Sequence, residues 1–326
     1  MEVKIDSMKI KEIILNFPSQ FKVGAERGEN VFFRKKFKRL VFSGMGGSAL
    51  SPELLKIYFH YAKIKIPILI HRDYNLPFDL TNEDLIFFIS YSGNTEETIS
   101  AFEKSLNKEL SILTISSGGK LQDLSKKYNI PHISIPSGLP PRFSLGYQLG
   151  AILKILNNSK IIFFDFNQEI KVKPKKWENI GKKIAQLLRN KIPIIYSSFI
   201  NFPLALIWKI KFNENTKIPS FCNYFPELNH NEMVGFSQMA EKFFLIILAD
   251  KNDKNQILKR MKLTSKILRK KNLKSFFVKI LEEKPLEKIF NNILLADWAS
   301  YYLSQYYKID PGPVKMVEEF KKLLKK

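Results

Sequence analysis

The sequence predicts an α/β protein with two doubly wound, flavodoxin-like parallel sheets, each flanked by helices. Short apolar runs of strand length alternate with longer stretches of helical periodicity, which is the pattern of a parallel sheet covered on both faces. This alternation occurs in both halves of the chain. The 326 residues suffice for two ordinary domains, and 45% hydrophobic with 26% charged residues is a globular composition.

The first half of the chain alternates regularly between strands and helices. Fully apolar runs predict the strands, and apolar positions at helical spacing predict the helices. A lead-in helix is predicted at about residues 6–18. The predicted strands are 39–43, 66–70, 85–90, 111–115 and 132–135, and the predicted helices are about 51–62, 95–108, 120–128 and 144–156.

The second half repeats this rhythm after residues 157–174, which have no clear period and are interpreted as an interdomain crossing. Its predicted helices are 175–189, 203–212, 257–270 and 289–307, and its predicted strands are 192–196, 217–222, 243–248 and 275–280. Two prolines, Pro311 and Pro313, interrupt the chain before a last helix at 314–325. We therefore expect domains at 1–157 and 158–326.

Composition and charge narrow the class of protein. The single cysteine, Cys222, rules out a disulfide within the chain and fits a reducing compartment. The first residues carry no signal-peptide pattern, and the apolar runs are too short to span a bilayer, so a cytoplasmic protein is expected. The net charge of +22 comes mostly from lysines at helical spacing, which is typical of solvated helix faces. We expect no nucleic-acid or membrane partner, but a field that attracts small anions.

Residues 90–95, Ser-Tyr-Ser-Gly-Asn-Thr, form the most informative loop, here called the serine loop. It follows an apolar strand and precedes a helix. The N-terminus of a helix has unpaired backbone N–H groups and carries the positive end of the helix dipole. With the loop hydroxyls, these groups suit an anion, most simply a phosphate. The alternative is an ordinary Ser/Thr-capped helix, which the same residue types favour.

Residues 44–49, Gly-Met-Gly-Gly-Ser-Ala, also follow a strand and are here called the glycine loop. Glycines let a backbone approach a ligand closely. The loop lacks the third glycine of a dinucleotide fingerprint, and no acidic residue follows about 20 positions later. A P-loop motif is absent from the sequence. Since carboxyl ends of parallel strands share one sheet edge, we expect the glycine loop to lie beside the serine loop.

Three further side chains are candidates for chemistry. Arg142 follows two prolines after a strand, where a guanidinium can pair with a phosphate or an oxyanion. Glu214 lies between two asparagines, and His230 lies in a segment rich in amides and acids, so both suit proton transfer. The alternatives are a surface arginine and a structural histidine. A metal site is not expected, because no second histidine follows His230 at i+4 and no cysteine pair exists.

These segments resemble the bifunctional phosphoglucose/phosphomannose isomerase family of the sugar isomerase (SIS) superfamily. The matching pieces follow the family's order over nearly the whole chain: 44–49, 90–98, 141–147, 212–217, 227–232 and 310–314. The serine loop is general to SIS proteins, whereas Asn213-Glu214-Asn215 with Asn229-His230-Asn231 is far more specific. Phe143 and Ser144 depart from a family pattern that often has two alanines, and we expect them to narrow the pocket.

The resemblance implies two SIS domains, a homodimer, and no metal or organic cofactor. It also implies an aldose–ketose isomerase that interconverts glucose 6-phosphate and mannose 6-phosphate with fructose 6-phosphate through a cis-enediol, as in glycolysis and gluconeogenesis. The residues that would bind the phosphosugar are Gly46, Gly47, Ser48, Ser90, Ser92, Gly93, Thr95 and Pro141.

The resemblance assigns the catalytic roles as well. Arg142 would stabilise the enediolate, and Glu214 would move the proton between C1 and C2. His230, reaching the site of the neighbouring subunit, would assist ring opening. Lys321 in the last helix, or the adjacent Lys322, would share that task.

Two other functions stay open from the sequence. Many SIS domains only sense sugar phosphates, but such regulators usually carry a DNA-binding module, and the first 38 residues contain too little for a helix-turn-helix. An aminosugar-phosphate enzyme would need an ammonia source, and we see no N-terminal cysteine nucleophile or amidotransferase domain.

Overall fold

The structure, a computed structural model, describes residues 5–168 and 170–324. It divides into two compact units. The N-terminal unit is Asn16–Lys171, and the C-terminal unit is the chain from Val172 onward together with the segment that ends at Leu15. Each unit contains one parallel sheet flanked by helices, so the predicted fold class is confirmed.

The strands form two separate sheets. They are β1 (Arg39–Ser43), β2 (Ile68–His71), β3 (Asp84–Ile89), β4 (Ser111–Ser116) and β5 (His132–Ser134) in the N-terminal unit, and β6 (Ile192–Ser198), β7 (Phe221–Phe225), β8 (Phe243–Asp250) and β9 (Lys274–Ile280) in the C-terminal unit. Their orders are β2-β1-β3-β4-β5 and β7-β6-β8-β9. Each neighbouring pair is parallel.

Helices connect these strands and cover the sheets. They are α1 (Ile10–Leu15), α2 (Phe17–Arg27), α3 (Leu50–Tyr61), α4 (Glu96–Ser105), α5 (Gly119–Lys127), α6 (Leu145–Asn158), α7 (Pro174–Leu187), α8 (Phe202–Lys211), α9 (Asn255–Arg269), α10 (Pro285–Tyr306) and α11 (Lys315–Leu323). Because helices cover both faces, a central strand such as β3 is buried throughout. This burial explains why the strand sequences are continuous apolar runs.

In each sheet, the second strand of the chain pairs on one side of the first strand, and the later strands are added on the other side. The place where the side changes is the topological switch point. That point lies between β1 and β3 in the N-terminal sheet and between β6 and β8 in the C-terminal sheet. A crevice forms outside the carboxyl ends of the strands at such a point, and α/β sheets bind ligands there. The glycine loop follows β1 and the serine loop follows β3, so both lie at the N-terminal crevice.

The single lead-in helix predicted at 6–18 is instead two helices. α1 ends at Leu15, Asn16 leaves the helical conformation, and α2 starts at Phe17 with Pro18 in its first turn. Proline lacks an N–H and fits a helix start better than an interior position. α1 belongs to the C-terminal unit and α2 to the N-terminal unit.

The segment after α6 belongs to the N-terminal unit, which therefore ends at Lys171 and not at residue 157. Phe164 packs edge-on against Phe21 and Tyr58, with ring centroids 5.9 Å apart in both pairs. Phe166 stacks on Phe21 at 6.2 Å. These aromatic contacts fix the segment, although its sequence has no periodicity.

The edge strand of the C-terminal sheet lies later than the predicted strand 217–222. Lys217 adopts a left-handed conformation with φ of 56°, and the strand runs instead over Phe221–Phe225. A lysine in that conformation interrupts extended backbone. The final helix, α11, ends at Leu323, and the predicted end at 325 lies outside the described residues. Within the described ranges, no helix combines the length and apolarity needed to cross a bilayer.

A buried ion pair anchors α10 to the C-terminal sheet. Lys288 Nζ lies 2.5 Å from Asp250 Oδ2, and both side chains are 0% exposed. Asn201 Nδ2 donates to the same carboxylate oxygen at 3.2 Å. Removing one partner of such a pair leaves an uncompensated charge in the interior.

We predict that Asp250→Asn lowers the free energy of unfolding by about 3–5 kcal/mol, because the buried Lys288 ammonium loses the carboxylate that lies 2.5 Å from it. Urea denaturation measures the change. As a matched control, Glu283→Gln removes the partner of Lys251 from an ion pair in which Glu283 is 78% exposed. That change should cost less than about 1 kcal/mol. Equal losses in the two variants would contradict the prediction.

His132 gives the N-terminal unit a pH-dependent stability. Its Nδ1 lies 2.7 Å from Thr114 Oγ1, and burial, with a smaller contribution from Lys126, lowers the pKa of His132 to about 4 from 6.5. Between these values the unfolded chain holds a proton that the folded chain lacks. The free energy of unfolding therefore falls as pH falls from 6.5 to about 4, and this contribution is constant below that range.

We predict that His132→Asn flattens the pH dependence of unfolding between pH 6.5 and about 4, because asparagine does not titrate. Denaturant midpoints of both proteins, measured at half-unit pH intervals, provide the comparison. Parallel curves for wild type and variant would show that His132 does not carry the dependence.

Candidate functional site

Two hydroxyls of the serine loop, those of Ser90 and Thr95, lie against each other, and the third, that of Ser92, is exposed. Ser90 is 0% exposed, and its Oγ lies 2.9 Å from Thr95 Oγ1. Ser90 Oγ also accepts the Thr95 N–H at 3.4 Å. Ser92, in contrast, is exposed and accepts the Asn94 N–H at 3.3 Å. Ser90 therefore shapes the loop from inside, while Ser92 presents its hydroxyl to solvent.

The N-terminus of α4 has no side-chain cap. Thr95 occupies the N-cap position in an extended conformation, but its side chain makes no capping hydrogen bond to α4. The Thr95 hydroxyl lies against Ser90 instead. The capping alternative for this loop is therefore not realised, and the positive end of α4 faces the crevice without that screen.

Gly93 lets the serine loop touch the loop that follows β4. It adopts φ of 70°, and a Cβ at this position would lie 1.7 Å from the carbonyl oxygen of Gly118. Glycine therefore satisfies both the backbone conformation and the space. The Gly93 carbonyl in turn accepts the N–H of Leu121 at 2.9 Å.

The glycine loop lies against the turn that carries Arg142. Residues Gly46–Ala49 form a 3₁₀ turn, and Gly46 has φ of 50°. A Cβ on Gly47 would lie 2.8 Å from the carbonyl carbon of Pro141 and 2.9 Å from the Arg142 nitrogen. Direct backbone contact with glycine therefore places the glycine loop beside Arg142.

Tyr91 joins the loops of the N-terminal crevice, and the sequence analysis gave it no role. Its N–H donates to Ser48 Oγ at 2.9 Å, and its carbonyl accepts from the Ser117 N–H at 2.9 Å. Its hydroxyl donates to the Pro136 carbonyl at 3.0 Å and accepts from Leu139 N–H at 2.9 Å. Burial raises the pKa of Tyr91, which keeps the phenol protonated as a donor. The sequence sign of this role is the position of an aromatic residue between two serines.

Arg142 lies in the 3₁₀ turn Pro141–Phe143 and is 1% exposed. Its Cζ lies 5.2 Å from the centroid of the Phe143 ring, within the range of a cation–π contact. Phe143 and Ser144 are themselves 2% and 0% exposed. Their side chains are packed inward.

Glu214 lies in the C-terminal unit on the π-helical turn Phe212–Thr216, which directly follows α8. Wide helical turns of this kind occur frequently at functional sites. The carboxylate-bearing residue is half-buried, whereas Asn215 and Thr216 next to it are buried. The buried neighbours therefore fix the turn, while the Glu214 side chain stays partly accessible to solvent.

Two buried contacts fasten this turn to α10. Asn215 Nδ2 donates to Ser300 Oγ at 2.8 Å. Lys211, the residue before the turn, lies 2.5 Å from Asp297 Oδ1, with side chains 1% and 2% exposed. Buried charges that are paired and hydrogen-bonded fix geometry, and here they fix the backbone on either side of Glu214.

His230 follows the 3₁₀ turn Glu227–Asn229 and is exposed. Its acidic neighbours hold the segment together: Glu227 accepts from Asn231 Nδ2 at 2.7 Å, and Glu232 accepts from Tyr196 Oη at 2.5 Å. Asn229 Nδ2 donates to Thr264 at 2.8 Å. These hydrogen bonds hold the backbone segment in which His230 lies.

Glu214 and His230 lie towards opposite ends of β7. The Glu214 turn ends at Thr216, ahead of the amino end of β7 at Phe221, and His230 follows its carboxyl end at Phe225. A strand of this length covers roughly 16 Å at about 3.3 Å per residue. Along the chain, β7 therefore lies between the turn that carries Glu214 and the turn that precedes His230.

Lys321 lies on α11, a helix on which no residue is buried. Its Nζ is 3.3 Å from Glu318 Oε1, and both side chains are 58% exposed. Lys322 belongs to the same exposed last turn. Among the described residues, no group of three or more His, Cys, Asp or Glu side chains is arranged to hold a metal ion.

Relatives of known name match the chain over most of its length. The bifunctional phosphoglucose/phosphomannose isomerase of Aquifex aeolicus (strain VF5) is 34% identical over 292 residues, which cover 89% of this chain and 91% of the relative. The protein of the same name from Caldicellulosiruptor bescii is also 34% identical, with 96% of this chain and 98% of the relative covered.

A family model and a solved structure agree with these relatives. Residues 177–324 match the model described as bacterial phospho-glucose isomerase C-terminal SIS domain. The crystal structure of a putative phosphosugar isomerase from Clostridium difficile 630 superposes with a TM-score of 0.71 at 16% identity, covering 94% of this chain and 95% of that one. This last likeness concerns the fold. By its identity to the named relatives, the chain belongs to the bifunctional phosphoglucose/phosphomannose isomerase family.

Proposed function

We propose that the protein is an aldose–ketose isomerase that interconverts glucose 6-phosphate and mannose 6-phosphate with fructose 6-phosphate through a cis-enediol. Family membership supports the reaction. The observation that carries it is the N-terminal crevice, where Ser92 and the uncapped end of α4 lie in the loop joined by Tyr91 to the glycine loop. A phosphate is the anion that suits these donors.

The phosphate of the sugar is bound by the serine loop and the glycine loop. Ser92 and Thr95 supply hydroxyls, Gly46, Gly47 and Gly93 supply close backbone approach, and Ser48, Ser90 and Pro141 complete the lining. Ser48 accepts the Tyr91 N–H at 2.9 Å and still has a hydroxyl hydrogen to donate. Anchoring the phosphate fixes the far end of the sugar while C1 and C2 react.

Glu214 is the base of the proposed mechanism. It removes the proton from C2 of the aldose phosphate, which leaves an enediolate. A proton passes from O2 to O1, and Glu214 returns its own proton to C1 to give the ketose. The Arg142 guanidinium stabilises the negative oxygen of the enediolate as it develops. Because C2 is planar in the enediol, protonation from either face gives the gluco or the manno product, and this accounts for two substrates.

His230 and Lys321, or Lys322, assist ring opening of the cyclic sugar. His230 acts in the site of a second subunit within a homodimer, and its exposure, next to β7 and away from the buried core, is compatible with this role. The proposal includes no metal or organic cofactor and a cytoplasmic location. Its alternative is a regulator that binds sugar phosphates without turnover.

The test is turnover by the purified protein in the presence of EDTA. We expect formation of glucose 6-phosphate and mannose 6-phosphate from fructose 6-phosphate, followed by NMR. Tight binding of fructose 6-phosphate without either product would favour the regulator and overturn the proposed reaction.

We predict that Glu214→Gln lowers kcat by at least about 100-fold, because general acid–base groups contribute about 10² to 10⁴. The KM for fructose 6-phosphate should change little, since the phosphate loops are intact. Glu241→Gln, an exposed residue of the same unit, is the matched control for lost charge and should retain wild-type kcat. Unchanged kcat in Glu214→Gln would remove Glu214 from the mechanism.

A further inference from the structure

We propose that Ser51, Gln148 and Ser144 form a buried hydrogen-bond relay that positions Arg142. The inference deepens the proposed function, because it rests on the role of Arg142 in stabilising the enediolate. The three side chains are each 0% exposed. Their side-chain hydrogen bonds run to one another and to the Pro141 carbonyl, so they are positioning residues and not catalytic ones.

The relay runs from α3 through α6 to the backbone beside Arg142. Ser51 Oγ donates to Gln148 Oε1 at 3.0 Å. Gln148 Nε2 donates to Ser144 Oγ at 2.8 Å. Ser144 Oγ then donates to the carbonyl of Pro141 at 2.8 Å. Pro141 immediately precedes Arg142, so the last bond holds the peptide that carries the arginine.

The direction of every bond in the relay is fixed. A serine hydroxyl has one hydrogen, so Ser144 can donate to Pro141 only while it accepts from Gln148. The Gln148 amide donates through Nε2, and its Oε1 is left to accept from Ser51. Satisfied buried polar networks rigidify their surroundings and specify one arrangement.

The carbonyl on the other side of Arg142 is held as well. Gln20 Nε2, from α2, donates to the Phe143 carbonyl at 2.8 Å. Gly47 contacts the Pro141–Arg142 peptide from the glycine loop. Buried donors and backbone contact therefore fix the turn Pro141–Phe143, and the relay supplies its link to α6.

This restraint matters for chemistry because the guanidinium must meet an oxyanion that exists only in the transition state. Misplacing a catalytic group by about 1 Å can cost roughly 100-fold in rate. The hydroxyls of the serine loop bond to one another and to backbone N–H groups, not to the relay, and the relay meets the glycine loop only through the Pro141 peptide that Gly47 contacts. A loosened relay should thus lower kcat and leave KM nearly unchanged.

The experiment compares Ser144→Ala, Gln148→Met and Ser51→Ala in the full chain. Ser105→Ala is the matched control: Ser105 is 1% exposed and its Oγ donates at 2.6 Å to the carbonyl three residues earlier, as Ser144 does, but in α4. Kinetics are measured well below the melting temperature of each variant. If Ser144→Ala does not fold, the double variant Ser144→Ala/Gln148→Met replaces it, because it leaves no Gln148 amide unpaired.

We expect Ser144→Ala to lower kcat about 10- to 100-fold with KM for fructose 6-phosphate within about twofold. The loss should decrease along the relay, from Ser144→Ala to Gln148→Met to Ser51→Ala, and Ser105→Ala should match wild type. Wild-type kcat in Ser144→Ala, or the same loss in Ser105→Ala, would overturn the inference.

A binding measurement separates this inference from the proposed function. The probe is a five-carbon phosphorylated hydroxamate that mimics the planar enediolate, compared with inorganic phosphate. Ser144→Ala should weaken the hydroxamate at least fivefold more than phosphate, whether or not the wild type turns over sugar. Wild type without turnover would overturn the proposed reaction, and equal weakening of both ligands would overturn the relay.

Discussion

Direct backbone contact between loops at the carboxyl edge of the N-terminal sheet is the constraint on which the candidate site depends. Gly93 touches the Gly118 carbonyl and Gly47 touches the Pro141–Arg142 peptide, at distances that exclude a side chain. Tyr91 then joins these loops through its backbone and its hydroxyl. These contacts hold the donors that we propose for the phosphate close to Arg142.

The two sheets use their crevices differently, although both have a switch point. At the N-terminal switch point the loops carry hydroxyls, glycines and an uncapped helix, which favour an anion. At the C-terminal switch point, Asp250 is the last residue of β8. Its carboxylate is paired with Lys288 and accepts a hydrogen bond from Asn201. The residues of the C-terminal unit that we propose for catalysis, Glu214 and His230, come from the chain before and after β7 and not from this switch point.

The sequence was sufficient for the fold class and for the loops. Apolar runs such as 85–89 are unambiguous as buried parallel strands, and glycine and serine at strand ends have a direct chemical meaning. The predicted position of the edge strand differs from the observed Phe221–Phe225 for two reasons. Asn223 interrupts the apolar pattern of the strand, and Lys217 has a left-handed conformation that its residue type does not reveal. The role of Tyr91 and the relay from Ser51 to Ser144 depend on contacts between residues far apart in sequence, which periodicity does not reveal.

The most direct test of the account is a crystal structure of the protein with the phosphorylated hydroxamate bound. The account predicts the phosphate within hydrogen-bond distance of Ser92 Oγ and the first N–H groups of α4, with the hydroxamate oxygens facing the Arg142 guanidinium. A phosphate bound away from the serine loop, or a hydroxamate with no contact to Arg142, would contradict it.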